Sequence, residues 1–537
     1  MNITRTKTNS RRSAAATIAT SLLLCTGAFA GDGTPSISNT TTRKDINSAA
    51  RDVTLSGGDA EISKAKEDLR KRLLAVEQEV PNAVGPLKAL RDYASLAEKR
   101  TWHQGWNPVT RTLSKEPLAM TGMVWSAAIE QSMKEQNGVL IPEMAEPVYL
   151  DRSIIVESGS RIIVHPKTEI RMIIGDTEHC LVRNRHIVSG QNGPVDLCKG
   201  ADRDILIEGG IWSDQKNNGA GPQGFRKGRD GLMLGSQGCF VLSNVENVTV
   251  RNVTLRDYSS FGIQIGNARN FLVEGVCLDG TKDGVHVDGP AQLGIIRNIN
   301  GPLAGDDVVA LNAWDWGTSS LTFGTISDIL VQDTDVKKGS CAIRILPGIK
   351  IFPDGSTLAC EVSRCVFSHI RNCHSFKIYD QPNIRRVKED YSADIGFVSD
   401  LFFEDIHVQP LNLTTHNDKS KSGVFELCAN ASGLYLDNIY LDYVPGTPFP
   451  EYLLTVGPKS RIARIPFAAS GTQEIFNPKA SPVAKHIVIR NVFTRPEGDA
   501  GEYQRHKNPE ALVHCTSIPG GGQGRIVGDV TGKQKLQ

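Results

Sequence analysis

From about residue 138 onward the chain is written in short apolar runs broken by Gly, Asn, Asp, Ser and Pro. One unit recurs: apolar–x–apolar–x–(Gly/Asn/Asp). It reads Ile205-x-Ile207-x-Gly209, Val248-x-Val250-x-Asn252 and Phe271-x-Val273-x-Gly275. It returns as Ile329-x-Val331-x-Asp333, Leu401-x-Phe403-x-Asp405, Leu434-x-Leu436-x-Asn438 and Ile487-x-Ile489-x-Asn491. A period of two marks a strand with one inward face, and Gly, Asn and Asp tolerate the left-handed backbone of a corner. Val248 and Phe271 lie 23 residues apart, as do Phe271 and Gly294, the length of one three-sided coil. Later spacings of 33–53 residues leave room for loops between coils. The spacing leaves no place for helices between strands, which excludes doubly wound and barrel α/β folds. The pattern predicts an all-β chain, a parallel β-helix running from about Val139 to Val492, with a small N-terminal helical extension.

Ahead of the strands the period becomes helical. Leu69, Leu73, Leu74, Val76 and Val80 fit one amphipathic helix, and Leu87, Leu90, Tyr93 and Leu96 fit another after Pro81 and Gly85. A short helix is predicted over 124–136, just before Gly138-Val139-Leu140-Ile141-Pro142, where it would cap the first coil. An uncapped parallel stack exposes unpaired backbone groups. Residues 1–30 read as a signal peptide: Arg5, Lys7, Arg11 and Arg12, an apolar run from Ala14 to Cys25, then Ala28-Phe29-Ala30. Cleavage after Ala30 would place the mature protein in the periplasm or the medium. The expected organisation is a leader (1–30), a polar and helical extension (31–118), a β-helix catalytic domain (119–495) and a tail (496–537).

A chain of 537 residues is too long for one ordinary core, and coil-on-coil repetition removes that limit. Lys and Arg number 60 against 59 Asp and Glu; without the leader's four basic residues the balance is 56 − 59 = −3. That charge excludes a typical nucleic-acid binder. No segment beyond the leader is apolar enough to span a membrane. Ten of the 11 Cys remain, with no C-x-x-C pair, which argues against a zinc ribbon. Several fall in strand-like segments, where Cys acts as a small core residue. The sequence leaves the oligomeric state open.

Adjacent coils stack at about 4.8 Å, so residues one coil apart become neighbours. Asp283 and Asp306 are 23 residues apart and are expected side by side, with Asp307 next to them. Crowded carboxyl groups repel, and the crowding raises at least one pKa, as a general acid near neutral pH requires. His286 alternates with Val285 and Val287 and is expected to face outward beside the aspartates, as a binding residue or a bystander. Asp288, before Gly289-Pro290, reads as a turn residue. Trp314 and Trp316 flank Asp315 in an inserted loop, where they would stack on sugar rings or pack the loop itself. Arg344 and Lys377, with Lys337 and Lys338 nearby, would bind an acidic sugar or be solvated charges.

Thr281-Lys282-Asp283-Gly284 followed by Gly305-Asp306-Asp307-Val308-Val309-Ala310-Leu311-Asn312 resembles the N-T-D-G and D-D-x-x-A-I-N motifs of the polygalacturonases, glycoside hydrolase family 28. The resemblance covers roughly residues 120–495 in architecture and is specific over 281–312. It implies a right-handed parallel β-helix, inverting hydrolysis of a pectin-like polysaccharide or oligosaccharide, and no metal or other cofactor. It also implies Asp306 as general acid, with Asp283 and Asp307 holding the attacking water. The sequence departs from the family at Thr281, at Gly339-Ser340-Cys341, where no His stands, and at Phe376-Lys377-Ile378-Tyr379, with one basic residue. Two other readings fit a β-helix. One is a Ca²⁺-dependent lyase using the three aspartates as ligands; the other is a carbohydrate-binding module without catalysis.

Overall fold

The computed structural model describes residues 59–76, 85–173, 180–216, 238–280, 282–315, 320–338, 341–379, 396–409, 423–442, 452–458, 462–463, 474–475, 481–495, 502–507, 512–517, 522–527 and 530. The leader, residues 31–58, Val80, Thr281, Trp316, Gly339 and Ser340 lie outside them. No helix among the described residues is long and apolar enough to cross a membrane.

The chain is mostly strand, and almost every strand pairs in parallel with one from a coil before or after it. The recurring unit of the sequence forms one column. Val248 pairs with Phe271, Phe271 with Gly294, Gly294 with Ile329, Ile329 with Cys365, Cys365 with Leu401, Leu401 with Leu434, and Leu434 with Ile487. The corner after each strand adopts positive φ at Asn252, Gly275, Asn298, Asp333, Asp405, Asn438 and Asn491, between 48° and 64°. These residue types occupy that region at least cost. Alternate residues point into one continuous bore, from Val139 and Ile141 through Val250, Val273, Ile296 and Val331 to Ile489 and Val492. Aromatic rings stack along it, Phe367 on Phe403 at 4.5 Å and Phe376 on Phe425 at 4.4 Å. Each such side chain contributes roughly 1.5–3 kcal/mol by leaving water.

The predicted cap is a helix over Ser126–Gln136, whose Ala128 and Ile129 join the bore at its first coil. It stops at Asn137, which adopts a left-handed φ of 48° and donates its N–H to the Met133 carbonyl. The second predicted helix is only a 3₁₀ segment, Leu90–Leu96. Between it and the cap lies an antiparallel hairpin, Glu98–Asn107 with Thr112–Val124, which the helical reading of the extension did not include. The stack also runs past residue 495. Val513–Cys515 pairs in parallel with Tyr452–Val456, and Arg525–Val527 with Val483–Arg495, so the expected tail supplies rungs.

The helix Asp59–Val76 packs on the outside of the stack, against Ile263–Gly280, Val285–Ala304, Ile326–Val336 and Val362–Cys373. The "x" of the recurring unit explains its position. These outward residues are themselves apolar and buried: Leu272, Ile295, Leu330, Val366 and Phe402. Leu69 and Leu73 of the helix are equally buried, while Lys66 and Arg70 pair with Glu404 and Arg72 approaches Asp328 at 3.6 Å. Ile62, Ser63 and Lys66 line a cleft with Phe402, Tyr435 and Val488. Left bare, that row would be an exposed apolar patch.

Candidate active site

A second column carries the chemistry. Val285–Ala304, Asp307–Asn312, Cys341–Leu346 and Phe376–Tyr379 pair successively, aligning His286 with Ala310, Ala310 with Arg344 and Arg344 with Lys377. Val285 and Val287, Val309 and Leu311, and Ile343 and Ile345 fill the bore, so the residues between them face outward. Asp283 and Asp306 sit in the turns entering the first two of these strands, and Asp307 opens the second.

The register corrects one expectation. Val285 pairs with Val309, an offset of 24 residues, and the Gly284 N–H donates to the Asp307 carbonyl at 2.8 Å. Asp283 therefore stacks on Asp307, not on Asp306, because the coil gains a residue at 301–302, where the register steps from Cys277 opposite Asn300 to Asp279 opposite Leu303. The Asp307 N–H points at Asp283 Oδ1 at 3.4 Å. All three aspartates nevertheless meet: one oxygen from each lies within 4.8 Å of the others.

Their surroundings differ. Asp307 is wholly enclosed and Asp283 is 3% exposed, whereas the Asp306 side chain is 34% exposed. Arg344 pairs with Asp307 and approaches Asp306 at 3.4 Å, and Lys282 lies 3.8 Å from Asp306. Burial and the charges of Asp306 and Asp283 push the Asp307 carboxyl up to about 8, against the pull of Arg344 and Lys377. Burial also acts to raise Asp283, but the hydrogen bond from His286 and the charges of Arg344 and His286 outweigh it, and its pKa falls below the usual carboxylate range. One carboxyl thus keeps its proton near neutral pH while its neighbour is ionised, which is how one site supplies both acid and base.

His286 lies beside the aspartates, as its alternation indicated, but does not face open solvent. Its ring is wholly buried, stacked on Phe261 at 3.9 Å, with Nδ1 2.9 Å from Asp283 and Nε2 3.1 Å from Asp288. It touches carboxylates, so the expectation of direct sugar contact is not met in this structure. Trp314 is 9% exposed and packs with the bore cluster, the loop-packing alternative, so it forms no open wall; Trp316 lies outside the described residues. Arg344 and Lys377 occupy the expected outward row, Arg344 half-engaged by the acids and Lys377 8% exposed. Lys337 and Lys338 are exposed. Asp288 is no mere turn residue: besides His286 it accepts from Gln264 Nε2 at 2.8 Å and the Leu321 N–H at 3.2 Å. Asn312, one coil on from Asp288, donates to Asp315 at 3.0 Å. Period-two alternation through 285–288 places His286 and Asp288 at spacing i, i+2 on one side, the signal that could have found this group.

No protein-family model matches the chain, and no curated protein matches it. Among solved structures it is similar to a hyperthermoactive exopolygalacturonase from Thermotoga maritima, at 11% identity and a TM-score of 0.44, covering 83% of this chain and 98% of that one. It is also similar to PfbA, a surface adhesin of Streptococcus pneumoniae, at 14% identity and 0.37, covering 84% and 93%. A third is the catalytic domain of a GH87 alpha-1,3-glucanase, at 11% and 0.35, covering 76% and 66%. Likeness this distant assigns no chemistry to the chain.

Proposed function

We propose that this chain is a secreted glycoside hydrolase on a right-handed parallel β-helix, cleaving a polysaccharide or oligosaccharide by single displacement. Asp306 is the general acid, drawing on the proton that burial keeps on Asp307, and the ionised Asp283 is the base for a water that Asp307 helps to hold. The observation that carries the reading is the convergence of three carboxyl groups within 4.8 Å, two of them buried, at the entry of two stacked strands. Burying several like charges works against folding, so such a group points to chemistry.

The roles follow from burial. Asp306 is the most exposed of the three, so a glycosidic oxygen can reach it. The usual distance rule would favour retention, since the oxygens lie nearer to the ~5–5.5 Å of retaining enzymes than to the ~6.5–9.5 Å of inverting ones. Accessibility outweighs it. A retaining nucleophile must touch the anomeric carbon; Asp307 has no exposed surface and Asp283 only 3%, so attack through a small water asks less room of the site than direct contact with a sugar carbon. Arg344 and Lys377, in the same row, suit a sugar bearing a carboxylate, which favours an acidic, pectin-like substrate. The three oxygens are also spaced to hold a cation, but Arg344 and Lys282 already bring positive charge to them.

The test is a panel of acidic and neutral polysaccharides, read for reducing ends and ultraviolet absorbance, with proton NMR of the first-formed sugar. The expected result is new reducing ends, no unsaturated product and the inverted anomer. Retention would overturn the displacement, and a chelator-sensitive unsaturated product would replace hydrolysis by elimination. Sugar binding without turnover, indifferent to Asp306→Asn, would leave a binding module.

A further inference from the structure

Resting on that reading, we propose that His286 is the positioning residue of the base: a doubly protonated imidazole clamped between Asp283 and Asp288, which fixes the Asp283 carboxylate and keeps it ionised. Geometry makes the case first. Nδ1 lies 2.9 Å from Asp283 Oδ2 and Nε2 lies 3.1 Å from Asp288 Oδ1. A neutral imidazole has one N–H and one lone pair, so it satisfies one carboxylate and repels the other. With ionised carboxylates at both ends, only the imidazolium donates to both.

The rest of the shell favours the cation. Asp315 Oδ2 stands 3.6 Å from Nε2, a third carboxylate facing the ring. The Asn312 amide nitrogen, 3.3 Å from Nε2, can only donate and is the one neighbour that would suit an unprotonated Nε2, but its hydrogen bond to Asp315 at 3.0 Å and the two carboxylates closing on Nε2 outweigh that longer contact. Phe261 covers one face. Gln264 and the Leu321 N–H anchor the far oxygen of Asp288, so the clamp is held from behind. The charged groups facing His286 are therefore Asp283, Asp288 and Asp315, with Arg344 acting on Asp283 from the other side. Burial alone would strip the proton from the ring, yet the carboxylates overcome it and raise His286 to about 10.

Two consequences separate this role from others. A ring that holds both protons through neutral pH is no proton shuttle for the reaction. A ring with no exposed surface is no sugar-binding group either. It acts through Asp283, whose remaining oxygen is directed at the Asp307 N–H.

The experiment has two arms. In the first, His286→Gln keeps a donor for Asp283 but removes the charge. Expected are a fall in kcat of ~100-fold, the scale of losing a well-poised base, with KM changed less than about threefold. The acid limb of the kcat/KM profile should move to higher pH, because Asp283 then ionises later. A purely structural residue would lower thermal stability and leave that limb in place, which would overturn the proposal. The second arm is independent of any substrate. Nitrogen-15 NMR of the imidazoles, with the His286 signal assigned by its loss in His286→Gln, should show both ring nitrogens protonated from pH 5 to about 9. A neutral His286 tautomer at pH 7 would sink the clamp whatever sugar is cleaved. An imidazolium spectrum without hydrolysis of any glycan would keep the clamp and reject the hydrolase reading.

Discussion

Two outward rows of the same stack have been put to opposite uses. On one column the row reads Leu272, Ile295, Leu330, Val366, Phe402; on the other it reads Gln264, His286, Ala310, Arg344, Lys377. Behind both, the bore is the same mixture of Val, Ile, Leu and Phe. The apolar row is sealed by the helix Asp59–Val76, which adds hydrophobic burial to the fold. The polar row is enclosed in its first coils but encloses charge, which costs several kcal/mol per ion unless paired. The bore sets the backbone, and the outer rows are left free to stabilise or to react.

That contrast makes a double dissociation testable. Asp306→Asn should cut the rate of the proposed hydrolysis by at least ~10³-fold, the effect of removing a general acid, and leave substrate binding intact. Its melting temperature should be no lower than that of the parent, since one of three crowded carboxyl groups is gone. Leu73→Ala, in the helix that covers the apolar row, should do the reverse. Leu73 is fully buried, and truncation there should cost about 2–4 kcal/mol, measured as a lower denaturant midpoint with kcat unchanged. If Leu73→Ala slowed catalysis at saturating substrate, or Asp306→Asn unfolded the protein, the separation of the two rows would fail.

How much of this could be read from the sequence follows from what each row depends on. The bore was legible because period-two alternation and Asn/Asp/Gly corners are local signals, and Val248 to Phe271 to Gly294 repeats at one coil length. The meeting of Asp283, Asp306 and Asp307 was legible for the same reason. The partner of Asp283 was not: a register step at 301–302 shifts the neighbour from Asp306 to Asp307, and the 23-residue repeat alone does not reveal it. The docking of the helix was missed although its cause was written out, since the "x" positions are apolar across Leu272, Ile295, Leu330, Val366 and Phe402. An inward reading of the repeat asks nothing of "x". Likewise the sequence left Trp314 between stacking on a sugar and packing its loop; that its ring joins the bore cluster depends on contacts remote in sequence.

The acid row also has a pH signature that the apolar row lacks. With Asp307 raised to about 8 by burial and by the Asp306 and Asp283 charges, the cluster retains a proton below that pH and loses it above. An acid must be protonated to act, so kcat/KM should fall about tenfold per unit as pH rises beyond about 8. Asp283 lies below the ordinary carboxylate range, so the acid limb should appear only below pH ~4. A profile flat through pH 10 would show that the shared proton is not used. Leu73→Ala should leave both limbs where they are.

The smallest effect lies at the helix's ionic end and sharpens what holds the seal in place. Glu404 receives both Lys66 and Arg70, with its side chain 15% exposed and theirs 24% and 25%. Pairs open to solvent are worth roughly 0–1 kcal/mol, and two donors on one carboxylate in a half-buried site reach the upper end. Glu404→Gln should therefore lower stability by about 1 kcal/mol, well short of Leu73→Ala. The difference should shrink in 1 M salt, where the screening length is about 3 Å. If the ionic variant proved costlier than the apolar one, the helix would be held by charge, and the apolar row would need another explanation for its burial.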